Sequence, residues 1–361
     1  MSGIRVRPVD TRADRRRFID FGYRIFAGDP NAALPLRREV AELLDPARNP
    51  WFEHARCALF LAERDGRVVG RISAQVDDLV QTHMGQGAGQ FGFFACEDDP
   101  AVSAALFDAA EAWLRAQGMT RSLGPFSLSI WDEPGLLIEG FDHPPTVMMG
   151  HARPWWRTHV EARGYQKIKD LLTYDLKIDT PFPPAAQRVV RTGESHKRLV
   201  VRETRLADYD REAAIILDIL NDAWAGNWGF IPLTPAEVRY AGKKLKPIVR
   251  PDLVRIAEYD GEPIAFMFTL PDLNEVTAKW DGRLFPFNWI RLLWALRRPR
   301  PRTMRVPLMG VLRKHQGTRV ASLAGARRLI LLTSVDGLLA PGDNALVTEV
   351  DDLDAVESFA K

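Results

Sequence analysis

The sequence predicts a mixed α/β fold that occurs twice along the chain, with mostly antiparallel sheets and flanking helices. The segment LFLAERDG at 59–66 is matched by VRIAEYDG at 254–261, 195 positions later. The same offset relates Val6-Arg7 to Val201-Arg202. Both copies also present strand, helix and hairpin signals in the same order. Two segments that share one offset indicate a duplicated domain.

In the first copy, the hairpin is the clearest element, because Asp65-Gly66 is a strong two-residue turn signal. Asp99 is suited to cap a helix that has Pro100 at its first position and Gly118 after its end. The predicted elements are a strand at 5–9, a helix at 13–26, hairpin strands at 57–62 and 68–76, a strand at 91–95, helices at 100–117 and 156–163, and a strand at 167–177.

The second copy repeats this order but contains an insertion. Strands are predicted at 199–203 and 305–312, a helix at 209–224, a hairpin at 253–270 around Asp260-Gly261, and a helix from about 319. The strand that follows the hairpin aligns with its counterpart at an offset of 218, so the second copy has gained 23 residues. The inserted segment includes WDGRLFPFNWIRLLWALRRPRPR.

These observations divide the chain into a first domain at 1–178, a linker at 179–198 and a second domain at 199–361. The linker is predicted from its three prolines and one glycine. The second domain carries the insertion at about 275–305. It also has a shortened C-terminal part, because fewer residues follow Ala321 than separate its counterpart Ser103 from Leu176.

Composition limits the classes of function. The 49 basic and 47 acidic residues leave a net charge of +2, which does not support a protein that coats nucleic acid. Two cysteines, Cys57 and Cys96, are too few for a disulfide framework, and no secretory leader opens the chain, so we expect a cytoplasmic location. The apolar run at 284–296 is shorter than the ~20 residues of a spanning helix. Neither copy has metal-ligand spacings or a Walker or dinucleotide motif.

The loop that precedes a helix is a potential anion site, because free backbone N–H groups and the helix dipole point at the ligand. The two copies give this loop opposite charges. The first has Glu97, Asp98 and Asp99, whereas the second has RKHQGTR at 313–319. This contrast predicts that the second copy binds phosphate groups and the first does not; the alternative is a solvated basic loop.

The strand LMGVL, the basic loop and the helix after it resemble the GNAT superfamily of acyl-CoA-dependent N-acyltransferases, here in tandem form over nearly the whole chain. The pyrophosphate motif of that family is Gln or Arg, two residues, Gly, one residue, then Gly or Ala. Gln316 fills its first position and Ala321 its last, but Arg319 replaces the central glycine. HVEARGYQKIKDLLTYDL in the first copy resembles the family's closing helix and strands.

The resemblance implies acyl-CoA as co-substrate and assigns residues to its site. Backbone groups around Val311 and Leu312 would polarise the thioester carbonyl. The loop residues that would hold the cofactor are Arg313, Gln316, Gly317, Thr318, Arg319 and Ala321, with Asn344 at the start of the closing helix. The base would be a carboxylate or a water chain. Glu133, Asp132 and His151 are candidates because they lie among apolar residues, although each also suits a structural role.

The insertion combines an aromatic surface with arginines. Trp289 and Trp294 belong to an apolar face followed by several arginines, which suits a membrane interface or a pocket for a long acyl chain. The alternative is a helix that covers the core. Trp228 and Phe230, in a similar aromatic stretch, are predicted to line the same substrate cleft.

The sequence thus predicts an acyl-CoA-dependent N-acyltransferase that acts on an amine. The resemblance to ceramide-synthase-like N-acyltransferases of this build implies a sphingoid-type lipid acceptor, and acetylation of a small molecule is the alternative. The aromatic and basic insertion predicts contact with the inner membrane face. A non-catalytic acyl-CoA or lipid-binding module is the alternative, favoured by Arg319 and the short C-terminal part. Truncation, a divergent tail or completion by a second chain would each explain that short part, and the last of these predicts a homodimer. Aminoacyl transfer from tRNA would require a longer basic groove.

Overall fold

The computed structural model describes residues 3–176, 187, 191–192, 197–297, 302–318 and 320. They form two compact units. Unit 1 comprises Met1–Leu172, Gly229–Ile248 and Pro271–Arg305, and unit 2 comprises Thr173–Trp228, Val249–Leu270 and Val306–Lys361. The described helices are Arg12–Arg24 (α1), Arg37–Leu43 (α2), Asp78–His83 (α3), Pro100–Ala116 (α4), Pro154–Ala162 (α5), Tyr209–Trp224 (α6), Pro235–Leu245 (α7), Asn274–Thr277 (α8) and Asn288–Arg297 (α9).

Unit 1 contains a five-stranded sheet with the strands in sequence order. Its strands are Arg5–Pro8 (β1), Ala55–Arg64 (β2), Arg67–Asp77 (β3), Ala88–Cys96 (β4) and Arg121–Leu123 (β5). The pairs are antiparallel except for β4 and β5, which are parallel and pair only at Ala88–Gln90 of β4. The turn between β2 and β3 places Asp65 and Gly66 at positive φ, as the sequence predicts.

Helix α4 covers this sheet for the reasons visible in its sequence. The Asp99 side chain accepts a hydrogen bond from the Ala101 N–H, and Pro100 occupies the first turn. Val102, Leu106 and Leu114 are buried on one face at helical spacing and join a single core with β2, β3 and β4.

Unit 2 repeats the arrangement with Leu199–Glu203 (β6), Val254–Tyr259 (β7), Glu262–Pro271 (β8) and Met304–Val311 (β9), in that spatial order. The repeat extends to register. Val6 pairs with Ala62, and Val201 pairs with Ala257 at the same offset of 195. The bulge after Ala62 recurs after Ala257. The predicted fold class, a duplicated α/β unit with mainly antiparallel sheets, is confirmed.

Two differences concern secondary structure. The predicted strand at 167–177 is not formed over 167–176, where the backbone is irregular and Ile168, Leu171 and Leu172 are exposed. An alternating pattern makes a strand only when a neighbouring edge pairs with it. The predicted helix from about 319 and the C-terminal part lie outside the described residues.

Unit 1 also includes chain segments that follow the predicted linker. Trp131 Nε1 donates to the Ile231 carbonyl at 2.8 Å, and Arg37 binds Asp281. The Val147 N–H donates to Asp272 at 2.9 Å. These contacts join 229–248 and 271–305 to the first sheet and its loops, whereas the repeat assigns both segments to the second domain. Within the described residues, every helix is too short or too polar to cross a bilayer.

Candidate functional site

The basic loop of unit 2 follows β9 as a short 3-10 turn at Arg313–His315. Its cations have carboxylate partners. Arg313 Nε lies 3.2 Å from Asp222 Oδ1, and Lys314 Nζ lies 3.7 Å from Glu262 Oε2. All four side chains are solvent-accessible, so these ion pairs are weak enough to exchange for a phosphate group.

The backbone at the end of β9 already holds an anion. The Arg313 N–H donates to Asp222 Oδ2 at 2.6 Å, and this bond is the largest cause of a lowered Asp222 pKa. The Asp222 carboxylate therefore occupies the Arg313 N–H. The Leu312 N–H instead donates to the Ile264 carbonyl at 2.9 Å, within the sheet. Leu312 would have to exchange this partner to contact a thioester carbonyl.

The remaining loop residues stabilise the turn. Gln316 Nε2 donates to the Val311 carbonyl at 2.9 Å, and the Thr318 hydroxyl donates to the His315 carbonyl at 2.6 Å. Gly317 has a φ of 68°, which favours glycine. The structure thus brings Val311, Leu312, Arg313, Gln316, Gly317 and Thr318 together. Arg319, Ala321 and Asn344, also predicted to contact the cofactor, lie outside the described residues.

The corresponding loop of unit 1 is internally neutralised. Glu97 forms a bidentate pair with Arg67, and Asp99 binds Arg64 while it caps α4. Asp98 lies 3.2 Å from His159 Nε2. The Asp99 carboxylate thus already occupies the N-terminus of α4, where the helix dipole would otherwise favour another anion.

The space where β4 diverges from β5 is filled by the chain itself. A Cβ atom at Gly92 would meet the Phe126 carbonyl oxygen at 1.7 Å, so glycine is required for this contact. Gln75 Nε2 donates to that same oxygen at 2.6 Å. At the end of β4, the indole N–H groups of Trp155 and Trp156 both donate to the Cys96 carbonyl. In unit 1, backbone and side chains of the chain itself therefore occupy the space beside β4.

Three candidate bases were predicted from the sequence, and the structure gives each its own partners. The Ser129 hydroxyl donates to Asp132 Oδ2 at 2.7 Å. Desolvation raises the pKa of Asp132 to about 6, and Ser129 and Lys244 oppose the rise. A carboxylate with a pKa near neutrality suits a general base.

Glu133 and His151 lie in surroundings that suit a structural role better than a catalytic one. Desolvation raises the pKa of Glu133, opposed by the Ser127 hydroxyl and the buried Arg71 guanidinium. His151 is buried, with Nε2 3.2 Å from Asp29 Oδ2 and its ring against Phe26. Asp29 also binds Arg153, so His151 belongs to a packed ion-pair cluster.

A further group of ionisable side chains lies near Asp132. His54 Nδ1 is 3.0 Å from Asp77 Oδ1, and His54 Nε2 is 3.3 Å from Glu237 Oε1 on α7. The Asp77 hydrogen bond and then that of Glu237 raise the pKa of His54 to about 10. Trp51 Nε1 donates to the other Asp77 oxygen at 3.0 Å. The raised pKa favours the protonated, cationic form of His54 at neutral pH, which suits an ion pair better than a general base.

The predicted substrate aromatics divide into two groups. Phe230 packs edge-on against Trp131 at 5.8 Å, while Trp228 is partly exposed. Trp289 and Trp294 lie on α9, none of whose residues is buried. Among the described residues, α9 thus contributes no fully buried side chain to the core, and both the substrate-site and the core-covering interpretations of this helix stay predictions.

Comparison with known proteins assigns the family. The chain is 46% identical over 314 residues to the bacterial ceramide synthase of Caulobacter vibrioides (strain NA1000 / CB15N), covering 87% of this chain and 82% of that protein. It is 42% identical over 316 residues to Protein YghO of Escherichia coli (strain K12), covering 87% and 80%. The chain belongs to the family of these two proteins. No family model matches it.

Solved structures with a similar arrangement share little sequence with this family member. A tandem GNAT protein from the clavulanic acid biosynthesis pathway superposes with a TM-score of 0.46 at 14% identity, covering 91% of this chain and 85% of that one. An aminoglycoside acetyltransferase from an uncultured soil metagenomic sample superposes with a TM-score of 0.29 at 11% identity, covering 48% and 96%.

Sequence reasoning missed the His54 group in this family member. His54 and Asp77 come from the first copy, and Glu237 is more than 180 positions away from His54 on α7. One local signal was available: Thr234-Pro235 followed by Glu237 forms a capping box, with Thr234 and Glu237 exchanging hydrogen bonds. That motif marks the start of α7 but does not identify the histidine that its glutamate meets.

Proposed function

We propose that the chain is an acyl-CoA-dependent N-acyltransferase that transfers a long acyl group to the amine of a sphingoid-type lipid. The observation that carries the proposal is the 46% identity over 87% of this chain to a bacterial ceramide synthase. Ceramides are amides, so their synthesis by acyl transfer joins an acyl group to an amine nitrogen. We further propose a cytoplasmic location with contact at the inner membrane face.

The basic loop of unit 2 supports acyl-CoA as the donor. Its Arg313 N–H binds an anion in the form of Asp222, and Arg313 and Lys314 have only accessible partners. In the proposed complex, the phosphate groups replace these carboxylates and the thioester lies beside Val311 and Leu312. The acidic loop of unit 1, whose carboxylates pair with Arg67 and Arg64, supports a single cofactor site per chain.

The reaction needs a base. The amine is protonated at neutral pH, and its proton must leave before the nitrogen attacks the thioester carbonyl carbon. The C–N bond then forms, the C–S bond breaks, and the thiolate of CoA takes up a proton. Among the three sequence-derived candidates, Asp132 has the most suitable pKa, about 6. We assign it as the base, with Ser129 as a positioning residue, and keep Glu133 and His151 as comparison variants.

The test is direct product analysis. Purified protein is incubated with a long-chain acyl-CoA and a sphingoid amine, and mass spectrometry and free-thiol release are followed together. Stoichiometric amide and thiol support the proposal; thiol release without amide would contradict it. Tight acyl-CoA binding with neither product would instead support the alternative, a non-catalytic acyl-CoA or lipid-binding module. The occupied Leu312 N–H is the observation that favours this alternative.

Acyl-chain length is tested on the same samples. Trp228 and Phe230 are the proposed acyl-chain contacts, because they lie in one aromatic stretch and Trp228 is 38% exposed. Replacement of Trp228 by Ser is expected to lower the preference for long over short acyl-CoA in competition experiments. An unchanged ratio of amide products would remove Trp228 from the acyl site.

A further inference from the structure

Unit 1 contains an open groove along α1 that the proposed transfer reaction does not use. Its volume is about 1190 Å³, and its walls include seven basic and three acidic side chains. Ile19, Tyr23 and Phe26 contribute apolar surface to the floor. Because these three side chains are almost fully buried, the groove presents mainly its cationic rim, which fits a negatively charged headgroup.

Three of the basic side chains are available to a ligand. Arg37 is paired with Asp20 and Asp281, and Arg283 with Asp281. Arg12, Arg15 and Lys279, in contrast, make no ion pair with any carboxylate among the described residues. Cations that line an open groove without partners attract anions from solution.

An exposed apolar segment begins at the rim of this groove. Gly282 packs against the Tyr23 ring, and the Arg37 N–H donates to its carbonyl at 2.9 Å. Phe285 follows only three residues later, at most about 11 Å away. The exposed fractions are 68% for Phe285, 71% for Phe287 and 64% for Trp294. Trp289, Ile290 and Leu293 of α9 are also exposed.

We propose that the α1 groove and the segment 285–294 together form a docking face for an anionic membrane surface. The segment has the aromatic and aliphatic residues that enter the headgroup boundary, and Arg291 and Arg297 flank them as snorkelling cations. The groove cations then bind lipid headgroups. A single apolar helix or basic patch binds membranes weakly, and two signals on one unit give stable association.

This inference rests on the membrane contact proposed above and is tested without either substrate, so its failure is distinguishable from failure of the transfer reaction. Full-length protein is sedimented with phosphatidylcholine vesicles and with vesicles that contain phosphatidylglycerol. We expect strong partitioning to anionic vesicles, weak partitioning to neutral ones, and a decrease with salt. The triple variant Arg12→Gln, Arg15→Gln, Lys279→Gln should bind anionic vesicles roughly 100-fold less. A matched control removes three exposed arginines elsewhere in unit 1: Arg5→Gln, Arg115→Gln, Arg157→Gln.

The apolar part has its own variant and control. The triple variant Phe287→Ser, Trp289→Ser, Trp294→Ser should no longer associate with vesicles. Its circular dichroism spectrum and melting temperature should be unchanged, because no residue of α9 is buried. The control variant Ile168→Ser, Leu171→Ser, Tyr174→Ser removes an equally exposed set of apolar side chains. It should bind vesicles like the unmodified chain. Equal binding to neutral and anionic vesicles, absence of binding, or equal losses in the control and groove variants would overturn the proposal.

Discussion

His54 lies between two carboxylates, and this arrangement makes the stability of unit 1 depend on pH. Its pKa is raised to about 10, first by the Asp77 hydrogen bond and then by Glu237. The unfolded value is about 6.5. Because the folded value is higher, the stabilisation is complete below pH 6.5 and is lost as the pH rises through 10.

Replacement of His54 by Gln should therefore remove a pH-dependent contribution of roughly 2 kcal/mol, since two carboxylates lose their cation. Thermal unfolding between pH 6 and pH 10 measures it. The unmodified chain should lose melting temperature steeply across this range and the variant much less. His143→Gln, at an exposed pair with Asp142, is the control. Parallel pH profiles for His54→Gln and the unmodified chain would show that the cluster carries no such linkage.

Asp132 is the second residue from which we expect a pH dependence, in this case of the transfer activity. With a pKa of about 6, it is ionised and able to accept a proton only above that pH. We expect kcat/KM to rise through pH 6, and Asp132→Asn to lower it roughly 100-fold or more. Ser129→Ala should move the midpoint upward, because the Ser129 hydrogen bond lowers the Asp132 pKa. A midpoint unmoved in Ser129→Ala, or full activity in Asp132→Asn, would assign the base elsewhere.

How far these residues could be predicted depends on sequence distance. Asp132 and Glu133 stand out in SIWDEPGLLIEGFD because charged residues are rare among apolar neighbours. His54 gave no such signal, since its partner Glu237 is supplied by a distant helix. The environment of His151 was not predictable either, because its partner Asp29 lies 122 positions away, whereas Asp132 is bound by its near neighbour Ser129.

At the scale of elements, the duplicated hairpins were predictable because their turns are local. Asp-Gly specifies both, and the offset of 195 carries strand register and bulge from one unit to the other. The 167–176 segment has an equally regular pattern but no strand. Pairing with a neighbouring edge, which no local pattern encodes, decides that outcome.

In the loop after β9, we expect two substitutions to change the affinity for acyl-CoA in opposite directions. Arg313→Glu with Lys314→Glu should weaken acyl-CoA binding roughly 100-fold, because two charge-assisted contacts to phosphate are lost. The binding that remains should depend less on salt. Asp222→Asn should strengthen binding instead, because this carboxylate occupies the Arg313 N–H.

Isothermal titration calorimetry with acyl-CoA measures both changes. Glu97→Lys, in the corresponding loop of unit 1, is the matched control and should matter little, since Glu97 is engaged by Arg67. If the double reversal leaves the affinity unchanged, or if Glu97→Lys alters it as much, the assignment of the cofactor to unit 2 is wrong.

At the scale of the whole molecule, the two units do not follow the order of the chain, because unit 1 contains segments from both sides of the predicted linker. Unit 1 includes 229–248 and 271–305, although the repeat places them after the linker. Ile231 from this later chain completes a small core with Val80 and Ala88. A repeat in sequence locates equivalent strands, but the helices and insertions between them pack wherever their apolar faces find partners. The homodimer expected from the C-terminal part remains a prediction, because that part lies outside the described residues.

The division into units predicts how the chain tolerates cutting. A fragment of residues 1–178, which the repeat alone would call a complete domain, lacks Glu237 for His54, Ile231 for Val80 and Asp281 for Arg37. We expect it to melt well below the full chain and to exchange amide hydrogens faster at 50–54 and 78–88. Co-expression with residues 199–361 should restore both properties. Within the intact chain, Ile231→Ala should produce a milder form of the same local exchange, at a cost of roughly 2–4 kcal/mol. If the fragment melted at the same temperature as the full chain and its amides were equally protected from exchange, then 1–178 would fold independently and α7 would not contribute to its stability.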